Sequence, residues 1–220
     1  MSIISLTALE FWKKLTQEQQ ELLRRTVKPV HYPAGTVIRG IDKDCLGMLL
    51  IQEGMVRICL LSEEGREATI SRIPAGEVCV LSAACSLSAI TFEMQIQAES
   101  DTEALVIPVQ VLAALMKENL YVENYIYKSA VQRLSNAIRA VEQILFYTLE
   151  QRVAAYLVEE SVRLGTDTLR VTQEQLAQAI GSAREAVTRT LKKLAAAGLV
   201  EQLRGGVRLL DEQGIRELLP

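Results

Sequence analysis

Histidine is nearly absent from this chain of 220 residues, which contains only His31, and aromatic residues make up 5% of the sequence. A metal-dependent β-barrel enzyme needs several histidine ligands, so a single histidine argues against that class. The chain also lacks a Gly-x-Ser-x-Gly elbow and a glycine-rich phosphate loop that ends in lysine. These absences lead us to expect a protein that is not an enzyme.

Cysteine is scarce, with four residues and no Cys-x-x-Cys pair. The N-terminal cysteine cluster that would hold an iron–sulfur centre is also missing. Cys79 and Cys85, six positions apart, are the candidates for a redox switch, either as a reversible disulfide or as metal ligands. The alternative is that both are small buried residues, because their apolar neighbours disfavour the reactive thiolate. No metal ion is assigned to the chain.

Long apolar runs are missing too, and no stretch of about twenty apolar residues exists to span a bilayer. The first residues show no basic segment followed by an apolar one, as a secretory leader would. We therefore expect a cytoplasmic protein without a membrane partner, whose cysteines are mostly thiols. The net charge of −3 argues against a protein that coats DNA without regard to sequence.

The segment from Thr172 to Gly198 is typical of two short helices joined by a tight turn. Thr172 stands at the cap of the first helix, which ends at Gly181, a residue that can adopt the left-handed conformation. Ser182 and Glu185 have the spacing of a second capping box. Such a pair of helices is the DNA-binding helix-turn-helix, whose second helix enters the major groove.

The second of these helices has an apolar face, formed by Val187, Leu191 and Leu194, and a polar face. Arginine can bind guanine O6 and N7 together, and a carboxylate can accept from cytosine N4. After this helix, the dipeptide Gly205-Gly206 predicts a hairpin wing whose arginines can bind phosphate. The predicted DNA-binding residues are Ser182, Arg184, Glu185, Thr188, Arg189, Lys192, Arg204 and Arg208. The alternative is a polar face that is merely solvated, or that contacts only protein.

The segment from Gly181 to Arg189 resembles the recognition segment of the Crp/Fnr family of bacterial transcription factors. The family pattern Arg-Glu-x-Val-x-Arg is matched by Arg184, Glu185, Val187 and Arg189. The resemblance implies that Glu185 and Arg189 read a TGA-type half-site and that Arg184 reads a neighbouring base or phosphate. Thr188 stands where the oxygen-sensing branch often has serine.

The segment from Val27 to Pro108 consists of short runs with alternating apolar and polar residues, separated by glycine-containing turns. This pattern predicts a β-barrel or roll. Tyr32–Gly35 and Ile51–Gly54 resemble turns of the Crp/Fnr sensor domain. The expected fold is α+β, with an N-terminal double-stranded β-helix of the cyclic-nucleotide-binding type, a long central dimerisation helix and a C-terminal winged helix-turn-helix. The expected domains are residues 1–108, 109–146 and 147–220.

A single long helix is predicted from Val109 to Phe146. Its apolar stripe consists of Ile126, Ala130, Leu134, Ala137, Val141 and Ile144. This stripe packs either on the chain's own barrel or against a second copy in a two-fold coiled coil, as in the family. A homodimer would place two recognition helices roughly 34 Å apart on double-stranded DNA and read an inverted repeat. RNA polymerase is an expected partner if the protein activates transcription.

Arginine is missing from the segment between Glu77 and Pro108. Family members that bind cyclic nucleotides hold the phosphate with a Gly-Glu-Leu segment and a following arginine, and only Gly76-Glu77-Val78 matches here. Because a buried phosphodiester needs a cation or a nest of N–H groups, we do not expect a response to cyclic AMP. The predicted small-molecule effector is unidentified, and its candidate pocket residues are Val80, Leu81, Leu87, Phe92 and Met94.

The same pocket residues would also make an ordinary barrel core. A haem held by His31 and a cysteine is a further alternative, and no cofactor is assigned. Whatever the effector is, we expect its signal to shift the central helices and so to set the spacing of the recognition helices.

Overall fold

The computed structural model describes residues 6–39, 47–63, 67–80 and 95–220. Short helical turns at Leu6–Ala8 and Trp12–Lys14 lead into helix α1 (Gln17–Thr26). The strands that follow are β1 (Lys28–Tyr32), β2 (Val37–Arg39), β3 (Met48–Glu53), β4 (Met55–Leu61), β5 (Glu67–Pro74), β6 (Val78–Cys79), β7 (Gln95–Ala98) and β8 (Thr102–Ile107). The remaining elements are α2 (Val109–Glu118), α3 (Leu120–Phe146), α4 (Leu149–Leu164), β9 (Thr168–Leu169), α5 (Gln173–Ile180), α6 (Arg184–Ala196), β10 (Val200–Leu203), β11 (Gly206–Leu209) and α7 (Glu212–Arg216).

The chain divides into two compact units, Met1–Leu60 with Ile70–Ala137 and Leu61–Thr69 with Ile138–Pro220. None of the helices in the described ranges combines the length and the apolar character that crossing a bilayer requires.

The described strands of the first unit form two sheets, with strand orders β1-β8-β3-β6 and β2-β7-β4-β5. Their pleat turns alternate side chains inward, so that Ile96 and Ala98 of β7 are buried. These two residues join Leu49, Ile51 and other apolar side chains in a common core. The predicted β-roll, with its alternating strands, is therefore present.

The predicted single helix from Val109 to Phe146 is wrong in one respect, because it is interrupted at Asn119. The backbone of Asn119 is extended, and its side-chain oxygen accepts a hydrogen bond from the Tyr121 N–H at 3.0 Å. Its side-chain nitrogen donates to the carbonyl of Lys14 at 3.0 Å. Asn119 thus ends α2 and caps α3, and the local hydrogen bonds replace the helical ones.

The predicted apolar stripe is divided between two faces of α3. Ile126 is only 2% exposed and, with Ala130, packs into the core of the first unit. The remaining members behave differently, since Leu134, Val141 and Ile144 are all at least half exposed. Packing on the chain's own core therefore applies to Ile126 and Ala130, and packing of the exposed members against a second copy stays a prediction.

The second unit contains α4 to α7 and a three-stranded sheet in the order β10-β11-β9. Its core consists of side chains from all three longer helices and the sheet, including Leu157, Leu176, Leu191 and Val207. Thr148 and Thr172 cap α4 and α5 in complete capping boxes with the glutamine three residues on. These helix starts follow from the local sequence, and the cap at Thr172 confirms the prediction.

Candidate nucleic-acid interface

The turn between α5 and α6 is built by Gly181, whose φ of 63° lies in the left-handed region. The N–H groups of Gly181 and Ser182 both donate to the carbonyl of Ala177, which closes the end of α5. The guanidinium of Arg152 on α4 donates to the carbonyl of Ile180 at 3.0 Å. Burial lowers the pKa of Arg152 from its usual value, because the charged form is partly desolvated there.

The predicted capping box of Ser182 and Glu185 is wrong. The backbone N–H of Ser182 is used to close α5, and the extended residue that precedes α6 is Ala183, which makes no side-chain cap. Helix α6 therefore begins at Arg184, one residue later than the capping pattern indicates. As a result Glu185 does not serve as a cap partner and remains exposed.

The polar face of α6 is open to solvent. Val187, Leu191 and Leu194 are 0% exposed, as predicted for the apolar face. The exposed residues of α6 include Arg184, Glu185, Arg189 and Lys192, and none of these four forms a salt bridge within the described ranges. Their charged groups are therefore available to an incoming ligand. By contrast, the neighbouring Lys193 pairs with Glu150 of α4 at 2.5 Å.

Thr188 is half-buried at the side of α6 that faces the start of α5. Its hydroxyl lies 2.5 Å from the side-chain oxygen of Gln173 and 2.9 Å from the carbonyl of Arg184. The amide nitrogen of Gln173 in turn donates to the side-chain oxygen of Gln202 on β10, at 3.2 Å. Neither glutamine was singled out by the sequence, because glutamine at a helix start and in a short strand carries no pattern of its own.

The wing turn is displaced by one residue from its predicted place. Leu203 pairs with Gly206, so the two-residue loop is Arg204-Gly205, with a φ of 76° at Gly205. Gly206 belongs to β11 and packs against β9, where an added Cβ would lie 2.6 Å from the carbonyl oxygen of Leu169. The first of the two glycines thus permits the turn and the second permits close strand packing.

The two predicted wing arginines differ in their surroundings. Arg204 is exposed at the tip of the wing and forms no salt bridge with any described residue. Arg208 pairs across the strands with Glu201 at 3.1 Å and also approaches the Thr168 hydroxyl at 3.3 Å. Arg204 is therefore the better placed of the two for a phosphate.

A groove of about 460 Å³ separates the wing from the two helices. Its lining includes Thr172, Gln173, Arg184, Gln202 and Gly205. The groove lies beside the start of α6, where the exposed arginine and the backbone N–H groups of the first turn favour anions, and the carboxylate of Glu174 lines the same groove.

In the first unit, the structure reveals a buried cation that the sequence analysis did not single out. Arg133 on α3 has a side chain only 9% exposed and pairs with Glu77 at 2.6 Å. Its guanidinium also lies 3.5 Å from the Ser71 hydroxyl, and its Nε has no partner among the described residues. Position 133 follows Ile126 and Ala130 on the buried face of α3, and this spacing could have identified it. A cation thus lies beside Glu77, although it is already paired with that carboxylate.

The chain matches two known domain families. Residues 29–119 match the cyclic nucleotide-binding domain, and residues 151–218 match the Crp-like helix-turn-helix domain. The crystal structure of a Crp/Fnr-family protein from Eubacterium rectale is 36% identical, with a TM-score of 0.92 over 96% of this chain and 98% of that one. The chain belongs to the Crp/Fnr family of transcriptional regulators.

Two curated relatives of this Crp/Fnr regulator are more distant. The transcriptional regulator SdrP of Thermus thermophilus is 29% identical, over 76% of this chain and 81% of SdrP. A CRP-like cAMP-activated global transcriptional regulator of Mycobacterium tuberculosis is 24% identical, over 87% of this chain and 88% of the relative. The family and fold predicted from the recognition segment are confirmed, as is the prediction of a regulator rather than an enzyme.

The sensor predictions for this regulator are only partly covered by the structure. Val80 is buried, with 1% exposure, and packs in the core beneath α2 and α3. The other pocket candidates, Leu81, Leu87, Phe92 and Met94, and the redox candidate Cys85 lie outside the described residues. Cys79 is fully buried in β6 and forms no disulfide within the described ranges. The effector pocket and the redox switch remain predictions.

No metal ion was assigned to the regulator, although Cys79 and Cys85 were considered as metal ligands. Among the described residues, no group of three or more His, Cys, Asp and Glu side chains could hold a metal ion. His31 lies at the surface, where its Nδ1 is 2.8 Å from a carboxylate oxygen of Glu103. This contact offers an ordinary structural role for the single histidine, while the haem alternative stays untested.

Proposed function

We propose that this regulator acts as a homodimer that reads an inverted repeat on double-stranded DNA. The observation that carries the proposal is the exposed apolar face of α3. Its members recur at steps of seven, four, three, four, three and four, and they are Leu120, Tyr127, Val131, Leu134, Ile138, Val141 and Leu145. Each is between 51% and 74% exposed in the single chain. Alternating steps of three and four are the seam of a two-stranded coiled coil.

A second copy of the chain is the occupant that fits this face. The seam extends along nearly the whole of α3, and exposed apolar faces of that size are rarely left in water. A parallel two-fold seam buries the same face of both copies, so one set of residues satisfies both partners. Two copies of α6 related by this axis could then contact successive major grooves.

The DNA-reading part of the proposal assigns base contacts to Arg184, Glu185 and Arg189. All three are exposed on α6 and free of salt bridges within the described ranges. Lys192 and Arg204 supply phosphate contacts in this proposal, with Ser182, Thr188 and Arg208 at the edge of the interface. Because the base contacts are few and specific, the overall negative charge of the chain does not prevent binding.

The sensor part of the proposal is a two-state equilibrium that a small effector shifts. Helix α3 carries both Arg133, which is buried beside Glu77, and the exposed seam. A ligand that changes the surroundings of Arg133 in one state would therefore act on the same helix that forms the dimer. Such a ligand shifts the equilibrium only if it binds one state better than the other. We propose that cyclic AMP is not this ligand.

The test is selection of duplex DNA from a random pool by the purified regulator, with and without reductant. We expect an inverted repeat with half-sites about one DNA turn apart, roughly 34 Å. Enrichment of a single half-site would contradict the dimer, and enrichment of no sequence in either arm or with added candidate effectors would contradict DNA reading. A difference between the two arms would support the cysteine switch. Adding cyclic AMP should leave the affinity for the selected operator unchanged.

A further inference from the structure

Three elements of the second unit meet at the side chain of Gln173. It is the first residue of α5, and it lies half-buried in the groove between the helices and the wing. Its oxygen is 2.5 Å from the Thr188 hydroxyl on α6, and its nitrogen is 3.2 Å from the Gln202 side-chain oxygen on β10. One amide thus connects the recognition helix to the wing.

The two ends of the Gln173 amide contact different elements. Its NH₂ group donates to the Gln202 oxygen on the wing. Its oxygen lies beside the Thr188 hydroxyl, which has one proton and a second acceptor within reach, the Arg184 carbonyl at 2.9 Å. Both ends of the amide are used at once, which connects this one side chain to α6 and to the wing.

Among the described residues, few other polar side-chain contacts connect the wing to the helices. Strand β10 is at the edge of its sheet, and only its first residue, Val200, is fully buried. Glu201 points its carboxylate to Arg208 on the neighbouring strand, which strengthens the hairpin but does not connect it to the helices. The contact of Gln202 with Gln173 lies just before the turn that carries Arg204. It is thus well placed to determine where the tip of the wing stands.

We propose that Gln173 is a positioning residue, which holds the wing against the recognition helix so that Arg204 meets a DNA phosphate while α6 occupies the major groove. This inference rests on the proposed function, in which α6 reads the DNA. In the absence of the link, base reading would continue and the wing contact would be lost.

The test is the salt dependence of operator binding, measured by fluorescence anisotropy on the full chain. Each phosphate contact contributes about 0.9 to the slope of log affinity against log salt concentration. We expect Arg204→Ala to lower the slope by roughly one such contact and the affinity by roughly 3- to 10-fold. Gln173→Leu should lower both to a similar extent, and the double variant should lower them no further.

Matched variants separate positioning from other roles. Gln202→Leu should reproduce the effect of Gln173→Leu on the slope and on the affinity. Gln213→Leu, at an exposed glutamine of α7, is the control for the substitution itself. Thermal unfolding of each variant shows whether a general loss of stability explains the result, since partial unfolding lowers the active fraction without changing the slope.

The outcomes distinguish this inference from the proposed function. If the effects of Gln173→Leu and Arg204→Ala on slope and affinity add fully in the double variant, Gln173 contacts DNA directly. The positioning role is then overturned. An unchanged slope in Gln173→Leu, or in Arg204→Ala, also overturns it while the reading by α6 stands. Failure of the unaltered chain to select any DNA, with candidate effectors present, would instead reject the proposed function and this inference with it.

Discussion

The helix-turn-helix and the roll use arginine in opposite ways. On α6, Arg184 and Arg189 are exposed, and neither forms a salt bridge within the described ranges. In the first unit, Arg133 is buried and pairs with Glu77. An exposed, unpaired guanidinium is available to a base or phosphate, whereas a buried pair has already been desolvated and stabilises a particular packing. The comparison indicates that the polar face of α6 is open to a ligand, whereas Arg133 is committed to an internal pair.

The largest expected effect concerns the exposed arginines of α6. Arg184→Ala combined with Arg189→Ala should reduce operator affinity by about 100-fold or more, because each bidentate base contact contributes about 1–3 kcal/mol. The fold and the oligomeric state should not change, since both side chains are exposed. The measurement is anisotropy titration of the selected operator.

Lys193→Ala is the matched control, because Lys193 lies on the same helix and is paired with Glu150. It should bind the operator nearly as well as the unaltered chain. Equal losses in the control and in the arginine variant would mean that the effect is electrostatic and non-specific, and the assigned reading face would be wrong.

The second prediction concerns the seam of α3. Val131→Glu combined with Ile138→Glu should convert a dimer into a monomer, because charges on the 64% and 60% exposed seam positions cannot be buried against a second copy. Sedimentation equilibrium measures the change. Gln132→Glu, on another exposed side of the same helix, should leave the dimer intact. A dimer that persists in the seam variant would place the interface elsewhere.

The third prediction tests the buried pair of Arg133 and Glu77 in the first unit. Glu77→Gln should lower the free energy of unfolding by about 1–3 kcal/mol, because it leaves the buried guanidinium of Arg133 without its carboxylate. The expected loss is below that of a fully buried pair, since the Glu77 side chain is 49% exposed. Urea unfolding followed by circular dichroism provides the measurement.

Glu63→Gln, at an exposed carboxylate, should have almost no effect on the same measurement. If Glu77→Gln also leaves the free energy of unfolding unchanged, other groups around Arg133 compensate its charge without Glu77. The contrast between the arginines of the two units would then be much weaker.

The smallest expected effect distinguishes a helix cap that is present from one that is only suggested by the sequence. Thr172→Ala should cost about 1 kcal/mol, because it removes a hydroxyl that accepts from the Gln175 N–H. Ser182→Ala should cost only a few tenths of a kcal/mol at most, since the cap position of α6 is Ala183. Similar losses of unfolding free energy in both variants, measured by the same unfolding assay, would mean that Ser182 does cap α6.

The helix-turn-helix could be predicted almost completely because its signals are local. The cap at Thr172, the turn at Gly181 and the buried row beginning at Val187 involve residues within one or two helical turns of each other. The errors in this region were of one residue, at the start of α6 and in the wing turn. At the start of α6 the Ser182 N–H is used to close α5, and in the wing Gly206 is used for close packing against β9.

The roll and the central helix were less predictable. The alternation of strands indicated a barrel, but the stripe on the long helix combined residues from two faces, because apolar periodicity identifies a face and not its partner. Ile126 packs inward while Leu134 is 59% exposed. At the break, Asn119 combines a local cap on the Tyr121 N–H with a hydrogen bond to the Lys14 carbonyl, which is 105 positions away in the chain. The distant contact leaves no signal in the neighbouring sequence.

The sequence by itself determined the type of protein, since the recognition segment, the caps and the alternating strands are each encoded by neighbouring residues. Tertiary structure decided which charged and polar groups are paired between separate elements. Arg133 meets Glu77 across 56 positions, and Gln173 meets Gln202 across 29. The physical reason is that burial periodicity follows from each element's own geometry, whereas a hydrogen-bond partner is selected only when separate elements pack together.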